Sequence, residues 1–339
     1  MRKNLKVITT IPPYAPFIAD IAGHPIISGV RLNTVMPLKG SIEEMLKRLQ
    51  SILGNKEIWI DLKCRQIRTS HGGSKFFNSP QSIRTYEIRG KTVVLDPSDP
   101  RTHGVLRTPP WAELEITHKI SLDLSKGPVK CYFQDGYDSA YLVEIIDGNR
   151  LIMLDGPKRV VGGGESINIL DPTLAIEGYF TETDHAYIEA AKKVGIHTFM
   201  LSYVEQDSDI ADMRTLDPDA KILAKIESEK GIEWAATRLG QCGPNVSLMA
   251  ARGDLYVEVG PAANRILPAL RKIIKADPNA VLASRILTSL RNNSRPQCSD
   301  ITDIECMRLM GYNTIMVGDD ICFDKDTLLL SLDILNAIG

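Results

Sequence analysis

The sequence predicts a (β/α)8 barrel, a mixed α/β fold, with a small β-rich domain inserted after its third strand. Two observations predict it. Near-continuous apolar runs of strand length alternate with helix-period segments over most of the chain. That alternation breaks once, between about residues 69 and 166, where period-2 patterns and turn signals take over.

Three strands are predicted first, in KVITTI (6–11), GVRLN (29–33) and EIWIDL (57–62), with the amphipathic IEEMLKRLQSIL (42–53) between the second and third. Five more follow the break: HTFMLSY (197–203), AKILAKIE (220–227), VSLMAARGD (246–254), AVLASRI (280–286) and NTIMVGD (313–319). Helix-period segments lie between and after them, at 184–194, 228–239, 262–275, 300–310 and 325–337. Within the break, ELEITHKISLDL (113–124), VKCYF (129–133) and YLVEIIDGNRLIML (141–154) alternate as strands. Asp147-Gly148 between two apolar runs signals a hairpin. Residues 1–68 and 167–339 are therefore expected to form the barrel, and 69–166 the inserted domain.

With 43% hydrophobic and 24% charged residues, the chain can bury a core. Its formal net charge of -2 gives no broad surface for nucleic acid. The six cysteines show no CxxC spacing, and the early apolar run is short and broken by Pro12 and Pro13. No run reaches the ~18 apolar residues of a membrane helix. A cytoplasmic protein without membrane contact is expected.

Barrel chemistry sits at the C-terminal ends of the strands. There the apolar runs give way to Arg31 and Asn33, Asp61 and Lys63, Lys225 and Glu227, Asp254, and Ser284 with Arg285. Lys225 and Glu227 are two apart, so a strand would place them on one side. Glu227 and Asp254 end successive strands, where two carboxylates could share a divalent cation such as Mg²⁺. Gly253 lets backbone approach a ligand closely. Arg31, Lys63, Arg68 and Lys225 would surround a phosphate with positive charge. Arg252-Gly253-Asp254 could otherwise be an adhesion triplet or a plain turn, and its pairing with Lys225 and Glu227 favours the site.

AKIESEKGIE resembles the Lys-x-Glu motif of pyruvate kinases, and MAARGDLYVEVG resembles their Ala-Arg-Gly-Asp-Leu segment. GVRLN is similar to the family's Arg-Leu-Asn strand, IWIDLKCRQIR to its Asp-x-Lys strand, and AVLASRILTSL to its seventh strand, all in the family's order. The resemblance implies phosphoryl transfer between phosphoenolpyruvate, or another 2-oxo or enol acid, and ADP or ATP, the glycolytic step. It makes Lys225 the lysine that neutralises the phosphoryl group, and Glu227 with Asp254 the ligands of Mg²⁺ or Mn²⁺. Arg31, Arg252, Gly253, Asp254 and Ser284 fall to substrate binding, with Lys225, Ser284 and Arg31 catalytic. Asn33, Lys63 and Arg68 fall to the nucleotide side. A homo-oligomer is expected, with no C-terminal regulatory domain.

Several positions depart from the family pattern. Asn33 and Asp61 match its monovalent-cation site, but Val35 replaces the serine there, which tells against K⁺ dependence. Glu165 stands in GGGESIN where a nucleotide-contacting lysine is usual, Arg285 replaces a glutamine, and Glu205 an arginine. These changes keep two alternatives open: a Mg²⁺-dependent aldolase or lyase acting on 2-oxo acids without nucleotide, and a non-catalytic metabolite-binding homologue.

Overall fold

The computed structural model describes residues 4–75, 84–88, 91–95, 111–154, 156–159, 161–260 and 262–339. Eight parallel strands close into a barrel: β1 (Lys6–Thr10), β2 (Ile27–Asn33), β3 (Glu57–Leu62), β4 (Thr198–Leu201), β5 (Lys221–Ile226), β6 (Val246–Ala251), β7 (Val281–Ala283) and β8 (Thr314–Val317). Each pairs with the next in sequence, and β8 closes on β1 with Lys6 opposite Thr314. The helices of this unit are α1 (Ile18–Ala22), α2 (Ile42–Leu53), α3 (Glu182–Lys193), α4 (Asp207–Leu216), α5 (Glu229–Arg238), α6 (Arg252–Glu258), α7 (Ile266–Ala276), α8 (Cys298–Met310) and α9 (Lys325–Ile338). The predicted (β/α)8 architecture is therefore present. No helix among the described residues is long and apolar enough to cross a membrane.

Local chemistry explains the element boundaries. Ser41 and Glu44 form a capping box at the start of α2, and Met45, Leu46, Leu49 and Leu53 give that helix its buried stripe. Several strands are shorter than the apolar runs suggest, and at two of them the difference falls on predicted site residues. The sixth stops at Ala251, so Arg252-Gly253-Asp254 is the first turn of α6 and not strand. The seventh stops at Ala283, because Ser284 and Arg285 leave it with φ of 67° and 57°. Apolar character marks burial, and it continues into both turns.

Side-chain alternation stacks the barrel interior in layers. Ile8, Trp59, Met200, Leu223, Met249, Val281 and Met316 form one buried apolar cluster. At that level β2 offers Gly29, opposite Ile8 in the ladder. A Cβ on Gly29 would lie 3.3 Å from the Trp59 indole, so the glycine makes room for the ring. Two residues further along five of these strands come Thr10, Arg31, Asp61, Ser202 and Lys225, the polar layer above the apolar one.

The chain divides into two compact units, Met1–Cys64 with Glu182–Gly339, and Arg65–Thr181. The second is built on a six-stranded sheet in the order Ile167–Ile169, Val129–Phe133, Asp138–Ile146, Arg150–Leu154, Trp111–Ile116, Thr69–Lys75. Leu114, Phe133, Leu142, Leu151 and Met153 are among the residues that fill its core. Asp147 and Gly148 turn its central hairpin with φ of 54° and 82°, the left-handed geometry such turns require. The unit is wider than the 69–166 read from the sequence. Ile167–Ile169 pairs with Val129–Phe133, and Ile167 N–H donates to the carbonyl of Ile67, so residues 65–68 and 167–181 fall with it. A three-residue apolar strand carries no signal that distinguishes a barrel strand from an edge strand.

Candidate active site

The polar layer centres on Asp61, whose carboxylate is wholly buried. Arg31 donates to its Oδ2 from Nε at 2.9 Å and from Nη2 at 2.5 Å, and Lys63 Nζ donates to the same oxygen at 2.7 Å. Lys225 Nζ lies 3.2 Å from Oδ1. Burial alone would raise this carboxyl, but Lys225, Lys63 and Arg31 hold it well below the usual carboxylate range. Arg31 reaches on to Thr10 Oγ1 at 2.9 Å and Asp319 Oδ1 at 3.0 Å, and Asn33 Nδ2 donates to Asp319 Oδ2 at 2.8 Å. Asp184 fixes the chain where Lys63 sits, accepting the Lys63 and Cys64 N–H groups at 2.8 and 3.0 Å.

Lys225 joins this network to a second acidic group. Its Nζ donates to Ser202 Oγ at 2.8 Å and lies 3.2 Å from Glu227 Oε1. The Ser202 hydroxyl in turn donates to the Leu62 carbonyl at 2.8 Å. Burial works against the lysine's charge, but Asp61 and Glu227 outweigh it and raise its pKa. Glu227 is held by the Tyr203 N–H at 2.8 Å. Its carboxyl is pushed up to about 7, first by burial and then, against the opposing pull of Lys225, by nearby Asp254. Tyr203 itself is left-handed at φ 51°, and its phenol donates to Glu258 Oε1 at 3.2 Å.

Arg252 precedes this acidic group on α6. Its Nη1 lies 2.9 Å from both Asp303 carboxylate oxygens, while Nε and Nη2 reach the Ser284 carbonyl at 3.1 and 2.9 Å. Nη2 also donates to the Arg285 carbonyl at 3.0 Å. The Arg285 guanidinium lies 4.4 Å from the centroid of the Tyr256 ring.

Among the described residues, one other group has metal-ligand composition: His197, Asp217 and Asp219. His197 Nδ1 lies 2.7 Å from Asp217 Oδ2, and Asp217 Oδ1 accepts the Asp219 N–H at 3.1 Å. Asp277 builds the same helix-to-strand turn without a histidine, accepting Asn279 N–H at 2.8 Å and Leu248 N–H at 2.8 Å. The group is thus a repeated Asp-Pro turn at the ends of α4 and α7, away from the strand ends that carry Lys225 and Glu227.

A family model described as pyruvate kinase, barrel domain, matches residues 40–322. The chain belongs to the pyruvate kinase family. It is 25% identical over 333 residues to the pyruvate kinase of Thermoplasma acidophilum, covering 94% of this chain and 55% of that protein. It is 27% identical over 224 residues to that of Borreliella burgdorferi, covering 57% of this chain and 45% of that protein. The chain thus spans about half the length of the curated relatives it matches. A solved structure, "Cryptosporidium parvum pyruvate kinase in complex with ADP", shares the fold with a TM-score of 0.70 at 18% identity, covering 100% of this chain and 67% of that one.

Of the residues singled out in the sequence, Arg31, Asn33, Asp61, Lys63, Lys225 and Glu227 share one connected network, with Asp254 electrostatically coupled to Glu227. Gly253 and Ser284 lie on the turns after β6 and β7. Arg68 lies in the other unit, where it donates to Gln66 Oε1 at 2.8 Å and to the Gly164 carbonyl. Glu165 is also there, paired with Arg159 and accepting the Gly162 N–H. Sequence reading missed Thr10, Ser202, Asp319, Asp184 and Asp303. Thr10 and Ser202 were within reach, since each lies two residues past an inward apolar residue of its strand.

Proposed function

We propose that this member of the pyruvate kinase family is a divalent-cation-dependent phosphotransferase acting on phosphoenolpyruvate or a related enol acid, with ADP as acceptor. The observation that carries the reading is the buried Lys225–Glu227 contact at 3.2 Å, coupled to Asp254, at the C-terminal end of the barrel strands. In the reaction the bond between the enol oxygen and phosphorus breaks, and one from phosphorus to a terminal oxygen of ADP forms. The enolate left behind takes one proton at its methylene carbon and becomes pyruvate.

Lys225 stays cationic in its buried setting and faces the group in flight, where it neutralises charge. Arg31 adds positive charge on the phosphate side and Gly253 brings backbone close to the substrate carboxylate. Ser284 keeps a hydroxyl near the carbon that receives the proton. Asn33 and Lys63 are assigned to the nucleotide side on the strength of the family resemblance. Glu227 and Asp254 fit a divalent cation: two buried carboxylates, near enough for the charge of Asp254 to raise the Glu227 carboxyl, offer hard oxygen donors. Bound there, Mg²⁺ or Mn²⁺ would supply charge neutralisation to the phosphoryl and enolate oxygens.

Asn33 and Asp61 do not fit a monovalent cation. Both Asp61 oxygens already accept from protein cations, the Val35 N–H lies 3.4 Å from Asn33 Oδ1, and the Val35 side chain offers no oxygen.

A second reading, enolate chemistry without nucleotide, is favoured by Glu165, which meets Arg159 where the family has a lysine. A panel of phosphoenolpyruvate, 2-oxo acids and nucleotides, screened for Mg²⁺-dependent turnover, separates the two. Pyruvate and ATP formation that disappears in Glu227→Ala supports the first. Carbon–carbon cleavage or condensation with no calorimetric ADP binding supports the second and overturns the first.

A further inference from the structure

The turn after β7 carries three left-handed residues that are not glycine: Ser284, Arg285 and Leu287, at φ of 67°, 57° and 51°. Such conformations are disfavoured for residues with a Cβ, and consecutive ones persist only where surrounding contacts dictate them. Two kinds of contact do so here. Ile286, Leu287 and Leu290 are buried and anchor the segment. The carbonyls of Ser284 and Arg285 both receive hydrogen bonds from Arg252.

We propose that Arg252 and Asp303 are positioning residues that hold Ser284 in register with Asp254, a role that rests on the phosphotransferase reading above. Ala251 and Ala283 are paired at the ends of β6 and β7, so Arg252 and Ser284 are the residues that directly follow the two strands. One side chain therefore ties the turn carrying Ser284 to the turn carrying Gly253 and Asp254. All three guanidinium nitrogens are engaged: Nε on Ser284, Nη2 on Ser284 and Arg285, Nη1 on both oxygens of Asp303. Asp303 lies on α8, which makes the clamp three-cornered: α6, the β7 turn and α8. The far end of the segment is tied to the same helix, since Ser289 Oγ donates to Asp300 Oδ2.

The planar fork of arginine matches this arrangement, and a single ammonium does not. Loss of the clamp lets the strained turn relax toward ordinary φ values, which moves the Ser284 hydroxyl away from the carbon awaiting its proton. Small displacements of this kind cost about a hundredfold in rate at the upper end. Phosphoenolpyruvate affinity is expected to stay, because all three Arg252 nitrogens are engaged by Ser284, Arg285 and Asp303, which replaces the substrate-binding role the resemblance implies for this residue.

The test compares wild type with Arg252→Gln, Arg252→Lys, Asp303→Asn, Asp303→Ala and Ser284→Ala. The expected result is a fall in kcat of about tenfold or more for Arg252→Gln and Asp303→Ala, with KM for phosphoenolpyruvate within about twofold. Exchange of pyruvate methyl protons into D2O should fall by the same factor. Arg252→Lys should not rescue, and Arg252→Gln combined with Ser284→Ala should be no worse than the weaker single variant. Amide hydrogen exchange over residues 284–291 should speed up in Arg252→Gln and Asp303→Ala. Wild-type kcat in these variants, or a loss additive with Ser284→Ala, overturns the proposal, and so does unchanged amide protection. Should Arg252→Gln fail to fold, the Asp303 variants carry the same readouts. If wild type gives no turnover at all, the phosphotransferase reading falls, and amide protection alone then decides whether the clamp exists.

Discussion

Lys225 Nζ lies 3.2 Å from Glu227 Oε1, the residue two places further along the chain. Strand alternation brings the two to one side, where Lys225 is the main counter-charge of Glu227, while Lys225 itself is held chiefly by Asp61 and then by Glu227. Removing the lysine's charge is expected to remove most of the proposed transition-state stabilisation while leaving Glu227 and Asp254, the carboxylates proposed to hold the metal, in place. Lys225→Met should lower kcat by about 10²–10³ or more, the scale of losing one electrostatic stabiliser. Mn²⁺ affinity, measured by electron paramagnetic resonance, should be retained, because the substitution removes the ammonium that competes for Glu227. A variant with wild-type kcat would remove Lys225 from the reaction.

Asp61 makes the opposite case, a carboxylate surrounded by cations. Asp61→Asn leaves Arg31, Lys63 and Lys225 clustered without their shared counter-charge, a change expected to destabilise the barrel by ~3–5 kcal/mol. The same group sets an acid limit. Its folded-state pKa lies well below its unfolded value of ~3.9, so its stabilisation is present above that pH and lost as pH falls below it. Chemical denaturation as a function of pH should therefore show wild type losing stability below about pH 4 more steeply than Asp61→Asn. Parallel curves would show that Asp61 carries no such linkage.

The barrel was legible in the sequence because a parallel strand covered on both faces announces itself as an apolar run, whatever its neighbours. The same property hid the strand ends. Ala250 and Ala251 lead into Arg252 without a break in burial, and beyond half-buried Ser284 and Arg285 the buried run resumes at Ile286, so helix α6 and the left-handed turn read as strand. Lys225 with Glu227, and Arg31 with Asn33, were legible because a charged residue inside an apolar run needs a reason. Ser202 and Thr10 do the same work with hydroxyls, which strands tolerate anywhere. Asp303 and Asp184 were not legible, because an acidic residue on an amphipathic helix is ordinary until its partner is known.

Glu227 and Asp254 should answer to metal before they answer to substrate. Mn²⁺ or Mg²⁺ bound only to the folded protein is expected to raise Tm, by ~2.7 kcal/mol of added stability at one hundred times Kd. Glu227→Gln and Asp254→Asn should each abolish that rise in a thermal-shift titration, with the metal-free Tm of Glu227→Gln at or above wild type. The last point follows from the carboxyl's raised pKa, since a neutral amide carries no charge for burial to oppose. Metal-induced stabilisation that survives in both variants would place the cation elsewhere.

Gly29 tests the apolar layer beneath the site. A Cβ there would meet the Glu57 carbonyl at 3.1 Å and the Trp59 indole at 3.3 Å. The carbonyl belongs to the paired strand β3 and cannot give way, while the indole is packed in the barrel centre among Met200, Leu223 and Met249. Gly29→Ala gains about 0.4–1 kcal/mol by restricting the unfolded chain. Overpacking costs about 1–3 kcal/mol, so the net effect is loss of stability. Trp59→Phe frees space at the same point, and the two substitutions together should lose less than the sum of their separate losses in denaturant unfolding. Strict additivity would mean that the indole and Gly29 do not share the space the barrel geometry assigns them. Asp61 and Arg31 stand two residues above Trp59 and Gly29 on the same strands, so Gly29→Ala should also lower kcat through the network those residues anchor.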